Sequence, residues 1–191
     1  MKMKENLVKG GWLMAACHIG FCVVASSAFA AHLTLKSQAV KNGKPLSLKQ
    51  VFNGFGCTGE NISPDMEWTG APKDTKFFAL TLFDPDAPTG SGFWHWTVYN
   101  IPATVTSLAL GASGKQIPEG AVEGRTDFGK SGYGGPCPPV GHKPHHYVFR
   151  LFALKDKIVA EKDAPAAMIG FQINQLKLAE GKLVGVYRRK E

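Results

Sequence analysis

The sequence predicts a mainly β fold, and we expect a β-sandwich built as one domain. Three observations support this prediction. Short runs of β-branched and aromatic residues recur along the chain, clusters of glycine and proline separate them, and helix start and stop signals are scarce. With 191 residues and 44% hydrophobic side chains, the chain is long enough for one buried core but short for two domains.

The predicted strands follow in order along the chain. They cover residues 32–35, 76–83, 94–100 and 146–154. The second run is apolar on both faces, which is typical of a central strand covered on both sides. In the third run the order Trp-His-Trp predicts that Trp94 and Trp96 share the face opposite His95 and pack in the core.

Helix is predicted only late in the chain, over residues 164–179, where Gly170 interrupts the apolar pattern once. A single turn is predicted near residues 47–52. The sequence contains no internal repeats and no low-complexity linkers. Together these features leave sheet as the dominant structure.

The first thirty residues predict a secretory signal peptide. Three lysines precede a mostly apolar stretch over residues 12–24, and Ala28-Phe29-Ala30 is a small-x-small cleavage site. We therefore divide the chain into a signal over residues 1–30 and a domain over residues 31–191, and we expect a periplasmic or secreted protein. A lipid anchor on Cys17 is the alternative. No later segment is apolar for long enough to span a membrane.

The charge pattern argues against nucleic-acid binding. The chain carries a net charge of +7, and removal of residues 1–30 leaves about +5. Lys and Arg are scattered except at residues 188–190, whereas a nucleic-acid surface needs a basic stripe interleaved with aromatic residues. A basic exported protein still favours anionic partners such as phosphates or phospholipid headgroups.

Two cysteines remain after the signal, Cys57 and Cys137. An even pair in a compartment that permits disulfides predicts that they are bonded to each other. A metal site that uses both thiolates with nearby histidines is the alternative. Neither cysteine belongs to a Cys-x-x-Cys pair, which counts against a metal.

A polar cluster within apolar, strand-forming sequence predicts a small site. Asp84, Asp86 and His95 lie within a dozen residues, and a loop rich in glycine and proline over residues 124–144 leads to His145 at the start of an alternating strand. Glycine allows backbone N–H groups to approach a ligand closely. The loop and the strand are therefore expected to bring His145 and several backbone amides to the same end of the β domain as Asp84, Asp86 and His95.

These motifs resemble the phosphatidylethanolamine-binding protein family, and more narrowly its bacterial Raf-kinase-inhibitor-like branch. The resemblance covers about residue 33 to the C-terminus, and its motifs are Asn53-Gly-Phe-Gly-Cys57, Asn61-Ile-Ser-Pro64, Asp84-Pro-Asp-Ala-Pro88, Trp-His-Trp at 94–96 and Gly134-Gly-Pro-Cys-Pro-Pro-Val-Gly141 followed by His-His-Tyr.

The resemblance implies a large central antiparallel sheet, a smaller sheet, one or two short helices, and an anion pocket at one end. The pocket residues that it implies are Asp84, Asp86, His95, Pro139 and His145, with backbone from the turn between Gly135 and Cys137. Two departures from the family pattern stand out. Cys137 occupies a position where many relatives have glycine, and the C-terminal tail is short, so Tyr187 is carried over as a lid residue without a matching motif.

The chemistry of these side chains can be argued without the family. Two carboxylates repel a phosphate, so we expect His95 and His145 to donate N–H groups to the anion, while one Asp orients a histidine and keeps it cationic. The other Asp would accept from an ammonium or hydroxyl group, as a phosphoethanolamine headgroup offers. Taken singly, Asp84 and Asp86 are ordinary turn formers and His95 an ordinary core residue. His32, His142 and His146 are expected to be solvated or structural.

The leading interpretation is an exported binding protein, not an enzyme, that needs no cofactor. Its ligand would be a small anion or a phosphorylated headgroup, and it would regulate or inhibit a protein partner; a homodimer is one alternative for its assembly. The competing hypothesis is a metal-dependent hydrolase, in which two His and a carboxylate of the same cluster bind the ion and the second Asp is the base. The lack of His-x-His, His-Glu-x-x-His and Gly-x-Ser-x-Gly motifs counts against it.

Overall fold

The computed structural model describes residues 32–161 and 163–190. The predicted signal peptide and Cys17 lie outside these residues. Among the described residues, no helix has the length and apolar character needed to cross a membrane. The elements of the described chain are β1 (Thr34–Lys36), β2 (Lys44–Pro45), β3 (Asn53–Gly54), β4 (Cys57–Thr58), β5 (Met66–Thr69), β6 (Phe77–Asp84), β7 (Phe93–Pro102), β8 (Ser107–Leu108), β9 (Val122–Glu123), β10 (His145–Leu154), α1 (Ala166–Leu176) and β11 (Lys177–Tyr187).

A six-stranded sheet forms the centre of the molecule, in the order β2-β11-β10-β6-β7-β9. Neighbouring strands are antiparallel except β2, which runs parallel to β11, so the sheet is mixed. The interior strand β6 is buried over most of its length. Its continuous apolar run therefore reflects coverage on both faces, as the sequence predicted.

A three-stranded sheet, in the order β1-β5-β8, covers one face of the large sheet. The core between the two sheets contains Trp68 from β5, Leu82 from β6, Trp96 from β7 and Phe149 from β10. Trp68 meets Phe78 edge to face, with ring centroids 5.4 Å apart. This packing of two sheets around one apolar core confirms the predicted sandwich.

The opposite face of the large sheet is covered by α1. Ile169 and Ile173 of the helix pack with Ala79, Phe152 and Leu154 of the sheet. The predicted helix was wrong at its C-terminal end, because it stops at Leu176 and residues 177–187 form β11. Strand β11 satisfies its backbone groups by pairing with β10 along nearly its whole length. This pairing with a distant strand outweighs the local helical pattern of residues 177–179.

A β-bulge in β7 changes which side chains face which layer. Leu82 pairs with Trp96 and Phe83 with Trp94, so His95 is an extra residue without a partner on β6. Trp96 is buried in the sandwich core, whereas Trp94 turns to the helix side and packs on Phe83 at 4.7 Å between ring centroids. The prediction that both tryptophans share one face was therefore wrong.

A covalent link joins the β3–β4 hairpin to the glycine-rich loop. Cys57 and Cys137 form a disulfide with their Cα atoms 6.0 Å apart, as predicted. Both sulfurs are thereby used, which leaves the thiolate metal site without its ligands. The turn predicted near residues 47–52 is present, with the N–H of Gln50 donating to the carbonyl of Ser47 at 3.0 Å.

Candidate functional site

A cavity of about 140 Å³ opens where the end of β6 meets the beginnings of β7 and β10. These ends meet because both neighbours of β6 run antiparallel to it. The cavity is lined by Phe55, Asp84, Ala87, Pro88, Thr89, Phe93, His95, Phe128, Cys137, Pro138, Pro139, His145 and Tyr147. It therefore brings together Asp84, His95, Cys137, Pro139 and His145 from the predicted site.

Asp84 and His145 form a buried pair in the cavity. Nδ1 of His145 lies 2.8 Å from Oδ2 of Asp84, and the side chains are only 1% and 3% exposed. Because the carboxylate of Asp84 accepts a hydrogen bond from Nδ1 of His145, the other ring nitrogen of this histidine, Nε2, is directed away from the carboxylate. This Nε2 lies 3.3 Å from Nδ1 of the exposed His142. Asp84 thus orients a histidine, as the chemical argument expected of one of the two carboxylates.

His95 is held by the glycine-rich loop. Its Nδ1 lies 2.7 Å from the carbonyl oxygen of Gly134, and the N–H of Gly134 donates to the carbonyl of His95 at 2.9 Å. Burial lowers the pKa of His95 below its usual value, which the bond to Gly134 and the charge of Asp84 only partly offset. The ring is therefore neutral near pH 7 and donates from Nδ1, so Nε2 is the nitrogen left for a ligand.

Tyr147 adds a hydroxyl that the sequence analysis missed. Its oxygen is buried close to the carboxylate of Asp84 but makes no hydrogen bond of normal length within the described part of the chain, although the side chain lines the cavity. Burial and the neighbouring charge of Asp84 raise the pKa of Tyr147 above its ordinary value, so the hydroxyl keeps its proton. The signal for this residue was present, because positions 145 and 147 of one strand share a face.

Asp86 does not line the cavity. Its Oδ2 accepts from the backbone N–H of His146 at 2.8 Å and lies 2.7 Å from Nδ1 of the same residue, and its Oδ1 is 3.5 Å from Nζ of Lys143. Burial opposes ionisation of Asp86, but the two bonds from His146 and the charge of Lys143 lower its pKa overall. Its backbone N–H donates to Asp84 at 2.8 Å, so Asp86 ties the β6–β7 turn to β10.

The glycine-rich loop contributes side chains to the wall of the cavity, and not free backbone amides. The N–H of Gly135 donates to Oδ1 of Asn61 at 2.8 Å, and Gly134 donates to His95, so both amides are already paired within the protein. A Cβ atom on Gly135 would lie 1.9 Å from the carbonyl oxygen of Gln50, which explains the glycine. Gly135 positions the loop without lining the cavity, whereas Cys137 and Pro139 do line it.

Three phenylalanines form an aromatic wall that the sequence analysis also missed. The ring of Phe128 lies 4.9 Å from Phe93 and 5.9 Å from Phe55, between centroids. Phe55 is 74% exposed and sits at the tip of the β3–β4 hairpin. These residues come from separate parts of the chain, and no local pattern brings them together. Tyr187 pairs with His145 across the β10–β11 ladder and is not a lining residue, so it forms no lid here.

The ligand set of the hydrolase hypothesis is not assembled around this cavity. That hypothesis needs two histidines and a carboxylate directed at one ion. In the described ranges, no group of three or more His, Cys, Asp and Glu side chains is arranged to hold a metal. The carboxylate of Asp84 faces the Nδ1 side of His145 and that of Asp86 faces His146.

Comparison with known proteins places these features in a family. The family model described as phosphatidylethanolamine-binding protein matches residues 36–188. The chain belongs to the phosphatidylethanolamine-binding protein family. The resemblance to this family that the sequence motifs indicated is thereby confirmed.

Bacterial relatives within the phosphatidylethanolamine-binding protein family are close in sequence and structure. UPF0098 protein YbcL of Escherichia coli K12 is 50% identical over 171 residues, which cover 87% of this chain and 93% of YbcL. UPF0098 protein YbhB of the same organism is 41% identical and covers 81% of this chain and 99% of YbhB. The crystal structure of E. coli YbcL, described as a member of the mammalian PEBP family, matches with a TM-score of 0.82 over 84% of this chain and all of that one.

A putative phosphatidylethanolamine-binding protein homolog, CT736 of Chlamydia trachomatis, matches with a TM-score of 0.72 at 31% identity, over 83% of this chain and 99% of that one. The names of these relatives describe binding proteins or the UPF0098 group, and none names an enzyme. For this phosphatidylethanolamine-binding protein family member, a binding role is the coarse assignment that the comparisons support.

Proposed function

We propose that this protein is an exported binding protein whose cavity takes a small oxyanion, either free or as the phosphate of a phosphorylated headgroup. The observation that carries the proposal is the buried hydroxyl of Tyr147, a residue that lines the cavity, because this hydroxyl makes no hydrogen bond of normal length to the described residues. A buried donor without a partner costs free energy, so a ligand oxygen that accepts from it stabilises the complex.

The charges around the cavity define what kind of anion it takes. Asp84 is paired with His145, so its carboxylate is not free to repel a ligand at full strength. His95 is neutral near pH 7, because its burial lowers its pKa. The neutral ring carries its proton on Nδ1, so Nε2 of His95 can donate a hydrogen bond to an anion only after it takes up a proton from the anion or from solvent. Binding is expected to be linked to proton uptake and to strengthen as the pH falls.

The size and walls of the cavity suit a small group. Its volume of about 140 Å³ is below the roughly 300–1,000 Å³ of sites for drug-sized ligands. Phe55, Phe93 and Phe128 surround the polar base with apolar surface. This combination fits a compact oxyanion that carries a short organic substituent, as a headgroup phosphate does.

Export is the second part of the proposal. The basic and apolar pattern of residues 1–30 is that of a secretory signal, and a disulfide between Cys57 and Cys137 suits an oxidising compartment such as the periplasm. The ring of Phe55 is exposed beside the cavity, so a protein partner that contacts it would bind differently when the cavity holds a ligand. Regulation or inhibition of a partner would work in this way.

Titration calorimetry of the mature protein with glycerophosphoethanolamine, phosphoethanolamine and inorganic phosphate tests the binding proposal. The phosphodiester keeps one charge over the pH range used, so its pH dependence reports on the protein. We expect saturable binding that weakens about tenfold or more in Tyr147→Phe and His95→Gln, a loss typical of a buried hydrogen bond to a charged group. His32→Gln, an exposed histidine that does not line the cavity, is the matched control.

Measurements in buffers of different ionisation enthalpy count the protons taken up on binding. Uptake that disappears in His95→Gln would support the proton linkage. Absence of saturable binding by the native protein, or equal binding by both folded variants, would contradict the anion proposal.

A further inference from the structure

A second cavity, of about 210 Å³, lies on the opposite face of the large sheet, between α1 and strands β6, β7 and β10. Its floor is apolar and includes Phe83, Trp94, Phe152 and Ile173. None of these residues lines the cavity that contains His95 and His145. The β7 bulge explains the arrangement, because it turns Trp94 to the helix side while the adjacent His95 faces the first cavity.

A glycine in the middle of α1 lines this second cavity. Glycine is a poor helix former, and Gly170 occupies the interior of the eleven-residue helix. A Cβ atom at this position would lie 3.7 Å from Cη2 of Trp94, which is an ordinary contact distance. Packing therefore leaves room for an alanine here. A side chain larger than alanine at this position would extend over the indole of Trp94.

One residue that lines the cavity, Arg150, belongs to a cluster of three charged side chains with an excess of positive charge. Nη1 of Arg150, a lining residue, lies 3.5 Å from Oε1 of Glu180, and Nζ of Lys177 lies 3.0 Å from Oε2 of the same carboxylate. One carboxylate thus faces two cations, and the three groups sum to a net charge of +1. The side chain of Arg150 is 47% exposed, so its guanidinium can meet a ligand from solvent.

We propose that this cavity is a second binding site, for a small amphipathic carboxylate with an aryl or alkyl body. The apolar body lies against Trp94, Phe83 and Phe152, and the carboxylate faces Arg150. An aromatic floor with a cation at its edge matches such a ligand in shape and in charge. The site is separate from the proposed oxyanion cavity and does not depend on that proposal.

Phenylbutyrate and phenylbutylamine test the proposal, because they share a body and differ in charge. Calorimetry and tryptophan fluorescence of the mature protein are expected to show saturable binding of phenylbutyrate and binding of phenylbutylamine at least about tenfold weaker. Gly170→Leu should abolish phenylbutyrate binding by filling the space beside Trp94, whereas Gly170→Ala, which adds only the Cβ, should change it by less than about threefold.

Arg150→Gln tests the charge without altering the helix. It is expected to weaken phenylbutyrate binding about tenfold and to remove the preference over phenylbutylamine. Lys115→Gln, which removes an equal charge from a residue outside this cavity, is the control. Urea unfolding of each variant checks that the fold is retained.

Three results would overturn the proposal. They are the absence of saturable phenylbutyrate binding by the native protein, undiminished binding by folded Gly170→Leu, and equal affinity of the native protein for the amine and the carboxylate. If Gly170→Leu does not fold, Arg150→Gln decides by itself, because unchanged affinity and unchanged charge preference in that variant contradict the site.

Discussion

Loss of the Cys57–Cys137 disulfide should both destabilise the fold and weaken the proposed oxyanion site. The crosslink joins residues 80 positions apart. For a loop of this length, the entropy removed from the unfolded chain corresponds to about 4.5 kcal/mol, and measured losses are typically about 2–4 kcal/mol. We therefore expect the double change Cys57→Ala with Cys137→Ala to reduce the free energy of unfolding by about 3 kcal/mol.

Urea unfolding of residues 31–191, followed by far-ultraviolet circular dichroism, measures this loss. For m-values of about 2 kcal/mol per molar urea, the midpoint should fall by about 1.5 M. The native protein in the presence of a thiol reductant should show the same shift, and the alanine variant should not respond to reductant. Mass measurement after alkylation without reduction establishes whether the bond is present in the purified protein.

The same variant should bind the oxyanion more weakly, because Cys137 lines the cavity and the bond ties it to the hairpin that carries Phe55. A midpoint shift below about 0.5 M, with the bond present in the native protein and m unchanged, would refute the loop-entropy reasoning. Unchanged affinity in a folded variant would refute the positioning of Phe55 by the bond.

Three further predictions concern stability. Burial lowers the pKa of His95, so below about pH 6.5 this side chain binds a proton in the unfolded chain but not in the native protein. Stability is therefore lost as the pH falls, and the urea midpoint should decrease when the pH is lowered from about 7.5 to about 5.5. The decrease should be smaller in His95→Gln. His145→Ala should cost about 3–5 kcal/mol, because it leaves Asp84 buried without its partner, whereas the exposed control His32→Ala should cost almost nothing; equal losses would contradict this pairing. Gly170→Ala should raise the free energy of unfolding by about 0.5–1 kcal/mol, since helix propensity improves and its Cβ meets Trp94 at an ordinary contact distance, and a lower midpoint would show that the helix requires glycine.

The fold class and four strands could be predicted because the signals for them are local. The apolar run of β6 and the alternation in β10 report burial through side chains that are neighbours in the sequence. Strand β11 could not be read in this way. The burial of its residues alternates only in part. Residues 177–179 are extended because they pair with the edge of β10, which is distant in the sequence.

Some residues of the candidate site could likewise be predicted from the sequence, and others could not. Asp84, His95 and His145 were identified from their residue types and their motifs, and the structure brings them to one cavity. Asp86 is two residues from Asp84 yet lies outside the cavity, because the turn after β6 directs its carboxylate to the backbone N–H of His146. The position of a side chain after a turn depends on which distant donor it meets, and sequence spacing does not encode that.

By itself, the sequence determined the β class, the single pair of cysteines beyond residue 30 that is available for a crosslink, and the chemical types of the polar side chains. The tertiary structure alone decided the bulge that turns His95 to one cavity and Trp94 to the other. It also decided that the hydroxyl of Tyr147 makes no hydrogen bond of normal length to residues 32–161 and 163–190. The physical reason is that register and hydrogen-bond satisfaction are set by pairing between distant strands. A one-residue shift in that pairing moves a side chain from one face of the sheet to the other.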